Sequence, residues 1–410
     1  MKELFTVVTV EEALANLFKQ WQLPTRKTEI ISLANSLGRI SAVDLTADIC
    51  VPGFHRSTVD GFAVKAADTF GASEGMPSYL DIAGRIDMGS EAKEGTAGGQ
   101  CWSIATGGML PPDCDAVVMV EKTEPLADKT IAVNAPVAPG ENVILKGEDF
   151  TKGERIVPAG RKLRPAELGV LAAAGVSTVK VYNKPRIAII STGDELVDIE
   201  IKPAAGQIRD VNTYSLAALA EEAGAQVSFK KVIRDNYALL YSNLEEALER
   251  ADIIIISGGS SVGTGDITDQ LINSAGKPGV LTHGIALKPG KPTIIGLADK
   301  KPIFGLPGHP VSAMVTFRKL VLPCLDRLAG YSRRMEPTVE ATLMHNLAST
   351  AGREEYIRVA LTAGEEGNIA EPLLGKSGLI STMSEADGMI CIPVHKEGLT
   401  AGEKVAVLLL

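Results

Sequence analysis

The sequence lacks the cysteine and histidine patterns of disulfide-rich and zinc-binding proteins. Its five cysteines are far apart and form no C-x-x-C pair, and none of its five histidines stands three to five residues from another. We therefore predict neither a disulfide framework nor a thiolate or histidine metal centre. This cysteine usage fits a reducing compartment, and we expect a cytoplasmic protein.

Long apolar runs and an excess of positive charge are missing as well. No apolar run approaches the roughly eighteen residues of a membrane-spanning helix, and acidic residues occupy the first turns, so we expect no membrane span or export signal. The formal net charge of -9 argues against a nucleic-acid partner, which needs a basic surface. An anionic ligand must instead meet a local pocket of cations or amides.

Length and composition predict a globular protein. The 410 residues, 45% hydrophobic and 22% charged, suffice for about two to four domains and leave little room for disorder. Near the start, Thr9 and Glu12 form a capping-box pattern that opens a predicted helix over residues 8–18. A second helix-like stretch covers residues 29–37, and a third covers residues 165–174.

Composition divides the chain into four parts. Residues 51–139 contain short β-type runs broken by glycine and proline, and we expect them to be inserted into a domain of residues 1–50 and 140–183. Residues 184–330 alternate strand and helix, which predicts a doubly wound, mostly parallel α/β sheet. Residues 331–410 predict a small C-terminal β domain, barrel-like in architecture. The fold class is therefore multidomain α/β plus β.

Three predicted strands of the α/β domain run into polar, glycine-containing loops. The loops are STGDEL from Ser191, SGGSSVGTGD from Ser257 and GLPGHPVS from Gly305. Ligands of an open parallel sheet bind beyond the carboxyl ends of its strands, so together the loops predict a site for a phosphate-bearing ligand, with Lys288 and Lys291 nearby. Taken singly, the loops fit plain connections and the lysines fit a solvated turn. Neither a Walker A nor a G-x-G-x-x-G sequence is present.

A collinear series of motifs makes the prediction more specific. The motifs are DICVPGFHRSTVDGFAV, IATGGMLPPDCDAVVMVE, LKGEDF, ISTGDEL, VIRD, SGGSSVGTGD, LKPGKP and GLPGHPVSA. From about residue 10 to residue 325 the chain resembles the molybdopterin molybdenumtransferase family, the MoeA-like proteins related to the E domain of gephyrin. The resemblance implies an elongated homodimer of four-domain subunits, in which a β domain of the partner closes the cleft of the α/β domain. It also implies an enzyme that takes adenylylated molybdopterin and molybdate, releases AMP with Mg²⁺ and leaves molybdenum on the dithiolene. A molybdopterin adenylyltransferase is an expected partner.

The resemblance also assigns residues to roles. Catalytic roles fall on four acids, Asp60, Asp149, Glu195 and Asp266. Asp60 and Asp149 are expected to reach in from the partner subunit, and Glu195 and Asp266 are expected to hold the metal. Positions that contact the molybdopterin or molybdate are Thr106, Thr192, Gly193, Asp235, Ser257, Gly258, Gly259, Ser261, Lys288, Lys291, Pro307, Pro310 and Ser312. Among these, molybdate is expected to meet Ser261, Ser312, Lys288 and Lys291, because a tetrahedral dianion needs hydroxyl and cationic donors.

Other interpretations stay open at this point. Each acid could serve as a helix cap or turn residue, and the prolines could shape a turn or a helix start. Ser260, His309 and Gly284 depart from the family's commoner residues, and His309 could make anion binding pH-dependent. The alternative functions are a molybdopterin adenylyltransferase, a non-catalytic scaffold of the same fold, and a paralogue that has lost catalysis.

Overall fold

The computed structural model describes residues 7–127, 129–258, 265–331 and 336–410. None of the described helices is both long and apolar enough to cross a bilayer. The helices are α1 (Val10–Gln20), α2 (Pro165–Ala173), α3 (Asn212–Glu222), α4 (Tyr237–Arg250), α5 (Gly265–Ala275), α6 (Pro310–Thr316), α7 (Leu322–Ala329) and α8 (Ser381–Ser384).

The N-terminal part of the chain is mostly β-structure. Its strands are β1 (Thr28–Ser32), β2 (Leu45–Thr46), β3 (Arg56–Ser57), β4 (Gly61–Val64), β5 (Ser78–Ile86), β6 (Gln100–Ile104), β7 (Ala116–Met119), β8 (Thr123–Ala127), β9 (Thr130–Val133), β10 (Val143–Ile144), β11 (Arg155–Val157) and β12 (Thr178–Tyr182). A six-stranded sheet has the order β7-β4-β6-β5-β9-β8. β1 pairs antiparallel with β12, and β2 with β11, so the segments before and after the six-stranded sheet meet.

The helix predicted over residues 29–37 is wrong. The chain there forms β1 and then a single 3-10 turn, Leu33–Asn35. Ile30 and Ile31 are β-branched and favour an extended backbone. The hydrogen-bonding partner is β12, which follows about 150 residues later in the sequence and gives no local signal.

The N-terminal helix forms as predicted, with its capping box intact. The Thr9 backbone amide donates to Glu12 Oε2 over 2.8 Å, and the Glu12 amide donates to Thr9 Oγ1 over 3.1 Å. The helix packs its apolar face on the α/β sheet, where Leu17 is fully buried. Asn16 Nδ2 adds a 3.3 Å hydrogen bond to the Leu281 carbonyl.

The α/β sheet has four parallel strands and an antiparallel edge. Its strands are β13 (Arg186–Thr192), β16 (Gln226–Ile233), β17 (Ile253–Ser257), β18 (Pro278–His283), β20 (Ile294–Ala298) and β21 (Lys301–Leu306), with β14 (Leu196–Val197), β15 (Ile208–Arg209) and β19 (Leu287–Lys288) outside it. The order is β16-β13-β17-β21-β20-β18. β16, β13, β17 and β21 are parallel, whereas β20 pairs antiparallel with both β21 and β18, so the sheet is mostly rather than wholly parallel.

The last helix of this domain is interrupted. A π-helical segment, Phe317–Val321, separates α6 from α7. Pro323 near the start of α7 has no amide to donate to the preceding turn, which accounts for the local widening. Gly330 ends α7 in the left-handed conformation, at φ +87°.

The C-terminal part closes into a barrel. Its strands are β22 (Thr338–Leu343), β23 (Leu347–Ala348), β24 (Glu354–Gly364), β25 (Gly367–Pro372), β26 (Gly388–Ile392), β27 (Gly398–Leu399) and β28 (Lys404–Leu409). The order β24-β25-β22-β28-β26 returns to β24, so five strands form a closed ring around their own core. The α/β strand β19 pairs with β24 and joins the two parts. The predicted fold class is confirmed, while the predicted domain boundaries stay predictions.

Candidate functional site

Three strand ends meet at one edge of the α/β sheet. The parallel registers place Ser191 of β13 opposite Ser257 of β17, and Ser257 opposite Leu306 of β21. The loops that follow these strands are therefore neighbours, as expected for the carboxyl edge of a parallel sheet.

A cavity of about 970 Å³ opens above this edge. Eight of the predicted ligand-binding or catalytic residues line it: Thr192, Gly193, Glu195, Asp235, Ser257, Gly258, Pro307 and Pro310. Three carboxylates face this first cavity, from Glu195, Asp210 and Asp235, and Arg209 is the one cation among its described lining residues. The first cavity is therefore acidic.

Short contacts hold the three loops against each other. Thr192 Oγ1 donates to Asp235 Oδ1 over 2.6 Å, which joins the ends of β13 and β16. Gly258 has a φ of +105°, and a Cβ there would overlap the Thr192 carbonyl oxygen. Only glycine fits this position, because any side chain would push the loops after β13 and β17 apart.

Asn212, at the start of α3, joins two of the loops. Its Nδ2 donates to Ser257 Oγ and to the Gly308 carbonyl oxygen, both over 2.8 Å. Ser257 Oγ in turn approaches the Pro307 carbonyl at 3.4 Å. The Ser257 hydroxyl is therefore engaged in holding the site together, and a ligand would meet mainly its remaining acceptor capacity.

A second cavity, of about 630 Å³, lies between the α/β domain and the C-terminal barrel. It shares Pro292, Pro307 and His309 with the first cavity, so the two are contiguous. Five cations line it: Lys288, Lys291, Arg353, Arg358 and Lys376. The predicted residue Ser312 also lies here. The second cavity is therefore cationic.

The arginines of the second cavity are only partly satisfied by protein. Arg358 is 6% exposed, and its Nη2 donates to the Gly375 carbonyl over 2.9 Å. Within the described chain, the buried Nε atoms of Arg353 and Arg358 have no hydrogen-bond partner. Burial lowers the pKa of Arg358, yet a guanidinium keeps its charge at neutral pH. Unpartnered cationic donors suit an oxyanion.

Models of known protein families match most of the chain. The N-terminal region of MoeA (domains I and II) matches residues 8–175, a probable molybdopterin-binding domain matches 188–327, and the MoeA C-terminal region (domain IV) matches 340–410. A molybdopterin molybdenumtransferase of Staphylococcus aureus is 32% identical over 98% of this chain and 95% of its own length. The chain belongs to the molybdopterin molybdenumtransferase (MoeA) family. The Haemophilus influenzae member is 33% identical and covers 98% of each chain.

A solved structure of a MoeA-family protein has the same fold. The molybdopterin biosynthesis MoeA protein of Pyrococcus horikoshii is similar to this chain with a TM-score of 0.79 and 38% identity, over 98% of this chain and 99% of the other. The agreement covers the α/β domain, the β-rich domains and the C-terminal barrel together.

Three residues that the MoeA resemblance selects lie away from both cavities. Asp60 and Thr106 contact each other: Asp60 Oδ1 accepts the Thr106 amide at 2.7 Å and its hydroxyl at 3.0 Å. The hydrogen bond from the Thr106 amide, reinforced by the hydroxyl, lowers the pKa of Asp60. Asp149 is exposed on another loop, where its amide donates to the Val51 carbonyl over 3.1 Å. A single chain brings none of the three to the lining of either cavity.

The predicted metal position is described only in part. Glu195 is exposed in the first cavity and folds its carboxylate back over the Gly193 backbone. Asp266 lies in the first turn of α5, and its side chain, like Gly259, Ser260 and Ser261, lies outside the described residues. Among described residues, no group of three or more potential metal-ligating side chains is close enough to hold an ion. Carboxylate oxygens from Glu195 are nonetheless of the type that a hard cation prefers.

Sequence reasoning missed the residues that come from the C-terminal barrel and from α3. Arg353, Glu355 and Arg358 lie on or beside β24, and they reach the second cavity only because β24 pairs with β19. The one available signal was the unusual density of charge in the strand-like sequence REEYIRV.

Asp210 and Asn212 were missed because Asp-x-Asn before a helix is more typical of capping. His309, noted as a departure, bonds Ser377 Oγ through Nδ1 at 2.8 Å.

Proposed function

We propose that this protein is a molybdopterin molybdenumtransferase that converts adenylylated molybdopterin and molybdate into molybdenum cofactor and AMP. The observation that carries the proposal is the pair of contiguous cavities, one acidic and one cationic, at the carboxyl edge of the α/β sheet. A substrate with an adenylyl phosphoanhydride and a free dithiolene could extend across both cavities. Full-length relatives named for this activity support the assignment over an adenylyltransferase.

The proposed reaction balances in two parts. Water attacks the adenylyl phosphorus, the P–O bond to the molybdopterin phosphate breaks, and AMP leaves. At the dithiolene, two thiols and molybdate give a sulfur-bound trioxo molybdenum and one water, which carries away both thiol protons and one molybdate oxygen. No electron is transferred in either part, so neither needs an added oxidant or reductant.

We assign molybdate to the second cavity. Lys288, Lys291 and Ser312, predicted for this role, line it, and Arg353 and Arg358 add unpartnered donors. A tetrahedral dianion is stabilised by several charged donors that converge from different elements. The dithiolene would then lie near His309, where the two cavities meet.

We propose that Glu195 and Asp266 would hold a magnesium ion. A phosphoanhydride beside the carboxylates of Glu195, Asp210 and Asp235 would be repelled unless a cation offset the charge. When bound, Mg²⁺ supplies that offset while the P–O bond breaks. Glu195 would help to hold the ion, while the hydrogen bond between Thr192 and Asp235 holds the neighbouring strand ends together.

We further propose a cytoplasmic homodimer with composite sites. Asp60 and Thr106 contact each other and Asp149 lies on a separate loop, and none of the three lines a cavity of its own chain. A partner subunit that inserts these loops would complete each first cavity. A molybdopterin adenylyltransferase would hand over the adenylylated substrate, which limits loss of the reactive intermediate to water.

The deciding experiment measures AMP release from adenylylated molybdopterin with Mg²⁺, with and without molybdate. We expect molybdate-dependent release by the wild type, a loss of about 100-fold or more in Glu195→Gln and Asp266→Asn, and little change in the matched surface variant Glu200→Gln. Absence of AMP release by the wild type under every condition would refute the proposed function. Rapid adenylylation of molybdopterin from ATP by this chain alone would favour the adenylyltransferase instead.

A further inference from the structure

Two buried side chains at the start of α3 have acceptor atoms without partners at the wall of the first cavity. Asp210 is 3% exposed and Asn212 is 7% exposed, and both line that cavity. Within the described chain, Asp210 Oδ2 and Asn212 Oδ1 have no hydrogen-bond partner. Burying an acceptor without a donor is costly, so a ligand of the cavity that supplies donors would gain affinity from both atoms.

The other polar atoms of the two side chains are occupied, which fixes how each side chain is oriented. Asp210 Oδ1 accepts the Thr213 amide at 3.2 Å. Asn212 Nδ2 donates to Ser257 Oγ and to the Gly308 carbonyl oxygen, both over 2.8 Å. A carbonyl oxygen only accepts, so the Asn212 amino group must face Gly308 and its Oδ1 must point elsewhere. Both atoms without partners are therefore acceptors.

These two acceptors favour a neutral group with N–H donors over a phosphate or a metal ion. Phosphate oxygens are acceptors themselves and would be repelled by Asp210. A hard cation takes several oxygen ligands, but among described residues no three acidic, histidine or cysteine side chains converge. The neighbouring acids differ from Asp210, since Glu195 is exposed and Asp235 Oδ1 already accepts from Thr192 over 2.6 Å.

Adenylylated molybdopterin carries one edge with two adjacent donors and no acceptor between them. That edge belongs to the pterin, whose ring N3–H stands beside the 2-amino group. The amino group of adenine instead stands beside ring nitrogens that accept, and a ribose hydroxyl both donates and accepts. The pterin edge is therefore the part of the substrate that best matches two acceptors. Asn212 also bonds Gly308, the residue before His309, so a pterin here would lie close to the junction of the two cavities.

We infer that Asp210 and Asn212 bind the N3–H and 2-amino edge of the pterin and so determine the heterocycle that the first cavity accepts. This inference rests on the proposed function, in which adenylylated molybdopterin is the substrate. It gives the acids of the first cavity different tasks: Asp210 meets the pterin, whereas Glu195 is left for the cation beside the phosphates. Heterocycles with a 2-oxo group in place of the 2-amino group should bind poorly.

The test titrates the full chain with free pterin and with lumazine, its 2-oxo analogue, at neutral pH. We expect the wild type to bind pterin about tenfold more tightly, the effect of one hydrogen bond to a charged group. Asp210→Asn replaces Oδ2 by a donor and keeps Oδ1 for the Thr213 amide, so pterin affinity should fall about tenfold or more. Asp198→Asn is the matched control, because exposed Asp198 accepts the Glu200 amide and does not line the cavity. Its pterin affinity should equal that of the wild type.

Hydrogen exchange of the α3 amides separates direct contact from a structural effect. Exchange should be unchanged in Asp210→Asn, because the cap on the Thr213 amide remains. Three results would overturn the inference: no preference of the wild type for pterin, including no binding at all; unchanged pterin affinity in Asp210→Asn; or weaker binding accompanied by faster α3 exchange. Molybdate-dependent AMP release by the wild type in any of these cases would mean that the proposed function stands and only the pterin assignment fails. A pterin preference that Asp210→Asn removes, without AMP release by the wild type, would support the pterin site and refute the proposed function.

Discussion

Glu167 offers a stability prediction whose size follows from the structure. This acid is 9% exposed near the start of α2, where Oε1 accepts from Arg164 Nη2 at 2.7 Å and from Arg161 Nε at 2.9 Å. Its Oε2 accepts the Arg164 amide at 3.0 Å and so caps the helix. Hydrogen bonding from the Arg164 side chain, followed by that from Arg161, lowers the pKa of Glu167 from 4.5 to about 2.

The lowered pKa sets both the magnitude and the pH range. A pKa that falls from 4.5 to about 2 corresponds to roughly 3 kcal/mol of stability. Arg161 and Arg164 are 46% and 56% exposed, so solvent screening reduces the expected cost of Glu167→Gln to about 1–2 kcal/mol at pH 7. Because the pKa is lower in the folded chain, this contribution is present above about pH 4.5 and is lost as the pH falls towards 2.

Hydrogen exchange of the α2 amides measures this cost locally, which suits a chain with several domains that need not unfold together. Wild type and Glu167→Gln are compared at each pH, so that the intrinsic exchange rates cancel. We expect faster exchange of α2 in the variant by about tenfold at pH 7 and a much smaller difference at pH 3. A difference of equal size at both pH values, or none at pH 7, would refute the reasoning.

Two further predictions concern the first cavity and the cysteines. Gly258→Ala should slow AMP release by about 10- to 100-fold, because a Cβ there would overlap the Thr192 carbonyl oxygen. The control Gly206→Ala also has a positive φ but open space around it, and it should have little effect. An equal loss of activity in both variants would contradict the packing argument. Burial raises the pKa of Cys101 to about 12, so iodoacetamide at pH 8 should label half-buried Cys50 well before Cys101 or the buried Cys324. Labelling is followed by mass spectrometry, and equally fast labelling of Cys101 and Cys50 would contradict the described core.

The first cavity was largely predictable from sequence, since its determinants are local. Apolar runs such as 253–256 predict buried strands, and polar, glycine-containing segments after them predict loops. Parallel pairing then fixes where the loops meet, so Thr192, Ser257 and Pro307 converge without any need for pairwise contact information.

The second cavity was not predictable to the same degree. Lys288 and Lys291 were selected from a motif, but the residues facing them lie about 65 positions later, in another folding unit. An arginine in a strand carries no local sign of whether it faces solvent or a cavity. The same limit explains the helix wrongly predicted over residues 29–37, since β12 supplies its hydrogen bonds from far along the chain.

Under the proposed function, the opposite charges of the two cavities give molybdate and the adenylyl phosphates separate sites. Molybdate and the adenylyl phosphates are both anionic, and a single basic pocket would let each displace the other. In this chain five cations line the second cavity: Lys288, Lys291, Arg353, Arg358 and Lys376. The first cavity is lined instead by the carboxylates of Glu195, Asp210 and Asp235. Under the proposed function, the oxyanion would have a stable position with or without the adenylylated substrate, whereas the phosphates would have one only with a counter-cation. On this argument molybdate and the nucleotide end of the substrate bind independently, and they become coupled only at the junction beside His309, where the dithiolene would meet both.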